Sequence, residues 1–92
     1  MKVIVNFMGP LGIFIGQKKV EFQLDDGATY GDLLREIGRR FGDMLPEKVW
    51  DRERNAFKGR LLVIGAGRDL QEPDTPLLDN EDIKFLPMIA GG

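Results

Sequence analysis

The chain ends in Leu77-Leu78-Asp79-Asn80-Glu81-Asp82-Ile83-Lys84-Phe85-Leu86-Pro87-Met88-Ile89-Ala90-Gly91-Gly92, an acidic turn followed by a short apolar run and two glycines. β-Formers after an Asp/Asn/Glu cluster predict a strand over residues 83–86, and Pro87 removes a backbone donor, so the strand is expected to end there. Residues 88–92 are expected to form a flexible arm that reaches about 17 Å when fully extended.

Gly92 is the predicted functional residue of this arm. Gly91 and Gly92 have no Cβ, so their peptide units can approach another backbone closely and enter a narrow tunnel. Ile89 and Ala90 are expected to enter the tunnel with them. The alternative is an idle, frayed terminus, which is common at chain ends.

Composition excludes most kinds of active site. The 92 residues, 42% hydrophobic and 30% charged, predict one small domain over residues 1–92. Cys and His are absent, which removes disulfides, zinc and iron–sulfur sites, thiol nucleophiles and imidazole bases, and no metal site is predicted. An apolar run of membrane-spanning length and a signal-peptide pattern are also missing, so we expect a cytoplasmic protein without membrane contact.

Charge is close to balanced overall but uneven along the chain. Thirteen basic and fifteen acidic residues give a net charge of -2, which does not favour nucleic-acid binding. Six acids and a single cation, Lys84, lie in residues 69–92. A solvated turn surface is the favoured interpretation, and electrostatic guidance of the arm towards a basic partner is the alternative.

The N-terminal half predicts a hairpin followed by a helix. Apolar alternation over residues 2–8 and 19–24 is typical of two paired strands. The apolar connection between them, residues 9–17, is predicted to extend those strands, and contact with a partner is the alternative. Thr29 and Asp32 resemble a capping box, and apolar residues at helical spacing then predict a helix of three to four turns that Gly42 ends. The apolar positions are Leu33, Leu34, Ile37 and Phe41.

The C-terminal half adds two more strands. Residues 43–58 lack a clear period and predict a short helical turn followed by a loop, with Trp50 as a packing anchor. Residues 61–64 are four consecutive apolar residues, typical of a strand covered on both faces. The predicted fold class is α+β, a mixed sheet of four to five strands with one main helix on one face.

One helix can cover only one face of such a sheet. If Val3 and Val5 point towards the helix, then Ile4, Leu62 and Leu86 point away from it. An uncovered apolar face usually marks a partner site, so we predict partner binding through these three residues and Met88, unless residues 43–58 fold across the face.

The order of elements, and the ending from Asp79 to Gly92, resemble the ubiquitin-like β-grasp sulfur carriers, above all the small-subunit family of molybdopterin synthase. That family commonly ends in an acidic turn, a strand, a proline and Gly-Gly. The resemblance covers nearly the whole chain and includes residues 2–7, 27–37 and 67–70. Asn80 replaces a common glycine, and Leu86-Pro87-Met88 replaces an aromatic residue followed by two prolines.

The resemblance implies a reaction at Gly92. An adenylating enzyme similar to those that act on ubiquitin would use ATP to convert the Gly92 carboxylate into an acyl-adenylate, and sulfur would then displace AMP. The resulting thiocarboxylate would donate sulfur in the large subunit of molybdopterin synthase, which would supply the catalytic side chains. No bound cofactor is expected on this chain.

Three other functions stay open. A protein modifier would use the same adenylate to form an amide with a target lysine. A carrier for the thiazole of thiamin would use the same thiocarboxylate. A plain binding domain with an idle tail would function without Gly91 and Gly92.

Overall fold

The computed structural model describes residues 1–88. The helices and strands occur in the order β1 (Lys2–Phe7), α1 (Pro10–Ile15), β2 (Lys19–Gln23), α2 (Tyr30–Phe41), β3 (Trp50–Asp51), β4 (Ala56–Phe57), β5 (Leu61–Gly65), β6 (Arg68–Asp69) and β7 (Glu81–Pro87). A 3-10 turn, Gly42–Met44, follows α2. Neither helix in this part of the chain is long and apolar enough to cross a membrane.

Five strands form one mixed sheet in the order β2-β1-β7-β5-β6. The first and last strands pair in parallel at its centre, with Val5 opposite Ile83. β1 pairs antiparallel with β2, and β5 pairs antiparallel with β7, with Val63 opposite Phe85. The predicted hairpin and the predicted mixed sheet are confirmed, and β7 has a hydrogen-bonded neighbour on both sides.

The main helix begins at the predicted capping box. The Asp32 N–H donates to Thr29 Oγ1 at 3.2 Å, and the Thr29 N–H donates to Asp32 Oδ2 at 2.9 Å. Gly42 does not terminate the helix with a left-handed residue, because its φ of -55° keeps the right-handed conformation. The predicted end of the helix at Gly42 is nevertheless confirmed, because α2 ends at Phe41 with Gly42 as its C-cap, and the backbone continues into the 3-10 turn.

The core lies between the sheet and α2. Leu33 and Ile37 of the helix are fully buried, as are Val3, Val5 and Ile83 of the central strands. Aromatic rings also fill this layer, with Phe7 5.7 Å from Phe85 and 6.1 Å from Phe41 between ring centroids. The face of the sheet predicted to meet the helix is the one that does.

Residues 43–58 differ from the prediction, because β3 and β4 form a two-stranded hairpin where a loop was expected. The indole of Trp50 lies 4.7 Å from the ring of Phe57, and the Phe57 ring lies 5.5 Å from that of Phe85. Trp50 is 2% exposed, which confirms it as a packing anchor. Since Phe85 points into the core, this hairpin packs on the helix side and does not cross the opposite face.

The predicted extension of the first two strands is wrong, because their connection forms the short helix α1. Pro10 stands in the first turn, where its missing N–H costs nothing, and Gly16 closes the helix in the left-handed conformation with a φ of 82°. Leu11 and Ile15, four residues apart, both point into the core. In the helix, Leu11 and Ile15 lie on the same side and are both buried. In an extended chain, every second residue would point into the core instead.

Candidate functional site

The face of the sheet away from α2 is the outer face, and alternation along β7 decides what it presents. Ile83 and Phe85 are fully buried, whereas Lys84 is exposed and Leu86 is half-buried. In β5, Val63 is buried and Leu62 and Ile64 are half-buried, so the expectation that this strand is covered on both faces is wrong. Within residues 1–88, no helix or strand packs over the outer face.

Apolar side chains gather on the outer face near the end of β7. Leu62 lies directly opposite Leu86, a position in which the Cβ atoms of antiparallel neighbours are about 5 Å apart. The Met8 N–H donates to the Phe85 carbonyl at 3.1 Å, which places Met8 beside Leu86 on the other side of β7. We call Met8, Leu62, Leu86 and Met88 the exit patch, and Met8 and Met88 are 40% and 54% exposed.

Ile4 lies apart from the exit patch. Its cross-strand neighbours on the outer face are Glu21 and Asp82, both exposed. The polar pair of Asn6 and Lys84 stands between Ile4 and Leu86 along the strands, a separation of about 13 Å at about 3.3 Å per residue. The structure thus brings together three of the four predicted partner-binding residues and places the fourth in a polar surrounding.

The backbone leaves β7 at a fixed point of the sheet. Pro87 lies opposite Leu61, and the Met88 N–H donates to the Arg60 carbonyl at 2.9 Å. The predicted reacting residue Gly92 and the predicted inserting residues Ile89, Ala90 and Gly91 lie outside the described residues. The four positions after Met88 can span about 14 Å when extended.

The C-terminal third of the sequence is acidic, but the charged residues near Met88, where the backbone leaves β7, are basic. Asp82 stands at the beginning of β7, six residues and about 20 Å from Met88 at the rise of a strand, and Asp79 lies in the turn before β7. Near the exit are cations instead, Lys18, Lys84 and Arg60, and none of them forms an ion pair within residues 1–88. The surroundings of the exit therefore suit an acidic partner surface, and the alternative of a basic partner has no support in the placement of the acids.

A buried ion pair fixes the other end of β7. Glu81, 2% exposed, accepts from Arg68 Nη2 at 2.7 Å and from the backbone N–H groups of Ala66 and Leu78 at 2.9 and 3.0 Å. Burial alone would raise the pKa of Glu81, but these hydrogen bonds outweigh it and hold the pKa below the ordinary value. Arg68 also donates to the Pro76 carbonyl at 2.8 Å, so one carboxylate ties two turns to the strand that precedes the exit.

The described side chains offer little chemistry of their own. Within residues 1–88, no group of three His, Cys, Asp or Glu side chains is placed to hold a metal ion. The exit patch is apolar, and the cations near it, Lys18, Lys84 and Arg60, form no ion pair within residues 1–88. The arrangement can bind another protein and direct a chain end towards it.

Met8 is the member of the exit patch that was not among the predicted partner-binding residues. A signal for it was present, because Met8 has the same strand parity as Ile4 and therefore belongs to the outer face. Its contact with Leu86 depends on the parallel pairing of β1 with β7, which joins residues about 80 positions apart and has no local sequence signal.

The sequence and the fold of the chain were compared with those of known proteins, and both resemble small proteins of similar length. No family model matches the chain. Small archaeal modifier protein 3 of Haloferax volcanii is 28% identical over 95 residues, covering 100% of both chains. The crystal structure of SAMP1 from Haloferax volcanii superposes with a TM-score of 0.81 at 17% identity, again over 100% of both chains.

A second similar solved structure is that of a complex. It is that of subunits 1 and 2 of molybdopterin-converting factor from Helicobacter pylori, with a TM-score of 0.63, 23% identity and coverage of 100% of both chains. At such identities the two solved structures establish the fold alone.

Proposed function

Because the chain is a homologue of small archaeal modifier protein 3 and has the ubiquitin-like β-grasp fold, we propose that it acts through its C-terminal glycine, Gly92, after activation by another protein. The observation that carries this proposal is the exit of β7. A central strand held on both sides leads directly from an uncovered apolar patch into a short segment that ends in Gly-Gly.

The first step of the proposed reaction takes place on an adenylating enzyme that binds ATP. A carboxylate oxygen of Gly92 attacks the α-phosphorus of ATP, and pyrophosphate leaves. The product is an acyl-adenylate, in which AMP is a far better leaving group than the oxide of a free carboxylate. This chain supplies the carboxylate and the docking surface, and the partner supplies the catalytic side chains.

The finer proposal is that the chain is a sulfur carrier for molybdopterin synthesis. Hydrosulfide attacks the carbonyl carbon of the adenylate, AMP leaves with the former carboxylate oxygen, and loss of the S–H proton leaves a thiocarboxylate on Gly92. The large subunit of molybdopterin synthase then receives the tail and its sulfur. The paired subunits of molybdopterin-converting factor from Helicobacter pylori support this choice of second partner, since one such subunit pair contains the same fold.

The second candidate is a protein modifier. It uses the same adenylate, but an amine of a target lysine displaces AMP and forms an amide bond. The name of the Haloferax volcanii relative favours this route. Both routes require Gly92 and the exit patch, so the two candidates differ in what attacks the adenylate and not in how this chain presents it.

Expression of a tagged chain in its own cells separates the two. For a sulfur carrier, intact-mass analysis of the purified chain shows a species in which one oxygen is replaced by sulfur. For a modifier, denaturing gels show a ladder of heavier conjugates. A matched chain lacking Gly92 loses whichever signal is present, and a signal that survives this deletion would refute the proposed role of Gly92.

A further inference from the structure

A groove lies between α1 and the end of β1, beside the exit patch. Its volume is about 520 Å³, and it is lined by Met8, Gly12, Ile13, Gly16, Gln17 and Lys18 among others. Met8 belongs both to this groove and to the exit patch. A protein that covers the exit patch therefore meets the mouth of the groove as well.

Close packing of α1 on β1 fixes the position of one wall of the groove. Leu11 and Ile15 anchor the helix in the core, and Gly12 brings it against the main chain of β1. A methyl group on Gly12 would lie 2.8 Å from the Phe7 carbonyl oxygen and 3.4 Å from Cγ of Lys18. The helix thus sits as close to the strand as a backbone allows, with the stem of Lys18 alongside Gly12.

Ile13 projects from the groove into solvent. It is 81% exposed, the highest value among the large apolar residues of the described chain. A single exposed isoleucine is ordinary on a protein surface. Here it lies across the groove from half-exposed Met8, and the apolar surface continues from Met8 to Leu86 and Leu62. Continuity with the exit patch is the reason to assign this surface to a partner.

The positive charge beside the groove indicates which kind of partner surface can bind there. Lys18 lines the groove and forms no ion pair within residues 1–88, and Lys19 and Lys84 on the neighbouring outer face have none either. A second copy of this chain, docked symmetrically, would bring these uncompensated cations onto one another. A partner that carries carboxylates fits the surface better.

We propose that the groove receives an aliphatic or aromatic side chain of the adenylating enzyme, flanked by a carboxylate that pairs with Lys18. The inference rests on the proposed function, since it adds a second anchor to the same partner contact. Ile13 and Met8 pack against the inserted side chain. Lys18 pairs with the carboxylate, which fixes the position of the partner in the groove and raises the association rate of the two proteins at low salt.

The test is isothermal titration calorimetry of the full-length chain with the adenylating enzyme of the same organism, which measures the dissociation constant. Ile13→Ser raises the dissociation constant about tenfold, the effect expected when the burial of one isoleucine is lost. Lys18→Glu also weakens binding and flattens the dependence of affinity on salt. Met44→Ser, which changes an exposed methionine elsewhere on the surface, leaves the affinity unchanged.

A further variant, Leu86→Asp in the exit patch, distinguishes an error in the groove assignment from an error in the proposed function. If Leu86→Asp abolishes binding while Ile13→Ser and Lys18→Glu bind as the unmodified chain does, the groove is not a docking site and the proposed function stands. If Leu86→Asp also binds normally, the exit patch and the groove are both wrongly assigned. A dimer of the free chain in sedimentation that Ile13→Ser dissociates would make the groove a self-association site and overturn the inference. Thermal unfolding of each variant checks that the fold is intact.

Discussion

Glu81 shows how one side chain can fix the strand that leads to the chain end. Its carboxylate lies at the start of β7 and accepts from Arg68, Ala66 and Leu78, so it joins three segments of backbone. Gly65 makes room for it, because a methyl group there would lie 2.1 Å from Glu81 Oε2. An amide in place of the carboxylate keeps one acceptor oxygen but puts an NH2 donor where the other was, so Arg68 loses its counter-ion and part of this set of donors loses its acceptor.

Replacement of this residue is expected to destabilise the fold. Glu81→Gln lowers the free energy of unfolding by about 2 kcal/mol, the scale of a lost charge-assisted hydrogen-bond cluster whose cation can partly return to water. Urea unfolding at neutral pH measures the loss. Glu47→Gln is the control, because Glu47 is exposed and forms no ion pair within residues 1–88. Equal stability of Glu81→Gln and Glu47→Gln would contradict the assignment.

The same residue sets a dependence on pH. Because the folded-state pKa of Glu81 lies below its ordinary value of 4.5, its contribution is fully present above that pH and is lost as the pH falls through the lowered folded-state pKa. The difference in stability between the unmodified chain and Glu81→Gln therefore shrinks on acidification. A difference that grows instead would mean that Glu81 is protonated in the folded protein.

At the scale of elements, sequence patterns did not predict α1, the β3–β4 hairpin or the two-residue edge strand β6. α1 has six residues, less than two turns, so its buried pair of Leu11 and Ile15 is too short a pattern to distinguish a helix from a ragged strand. β3 and β4 have two residues each, and a period of two needs more positions to be seen. Long, strongly periodic elements such as α2 and β7 were predictable for the same physical reason.

The predicted capping box and the predicted core face of α2 were local features, and both are confirmed. The pairing of strands that are distant in the sequence is not a local feature and could not be predicted from sequence patterns. The grouping of Leu62 with Leu86, and the separation of Ile4 from both, follow from which strands become neighbours in the sheet. The outer face could therefore be predicted from alternation, but its division into an apolar end and a polar end could not.

Close packing of α1 on β1 yields a prediction at this scale. Gly12→Ala places a methyl group 2.8 Å from a main-chain oxygen that cannot move independently. The overpacking outweighs the better helix propensity of alanine, and we expect a net loss of about 1–2 kcal/mol in the free energy of unfolding. Thermal or urea unfolding measures it.

Gly42→Ala is the matched control for that variant. Gly42 has a right-handed conformation, and an added methyl group would lie 3.7 Å from Trp50 Nε1, an ordinary contact. It should be neutral or stabilise the protein by up to about 1 kcal/mol. If Gly12→Ala is as stable as Gly42→Ala, α1 does not pack on β1 as described.

At the scale of the whole molecule, the two end strands of the sequence meet at the centre of the sheet. β7 is held by β1 on one side and by β5 on the other, so its exit moves only if the sheet itself is disrupted. The single large helix and the β3–β4 hairpin both pack on the inner face, and no helix or strand of residues 1–88 covers the outer face. In the proposed function, this small domain without His or Cys holds the chain end at a fixed place on the sheet for reaction on a partner.

The central claim is that the carboxylate of Gly92 is the group that ATP activates. Exchange of labelled pyrophosphate into ATP, catalysed by the adenylating enzyme of the same organism, reports formation of the acyl-adenylate directly. The account predicts exchange with the full-length chain and only background exchange with a chain that lacks Gly92 but keeps the same thermal unfolding. Equal exchange with both chains, or none with either, would contradict it.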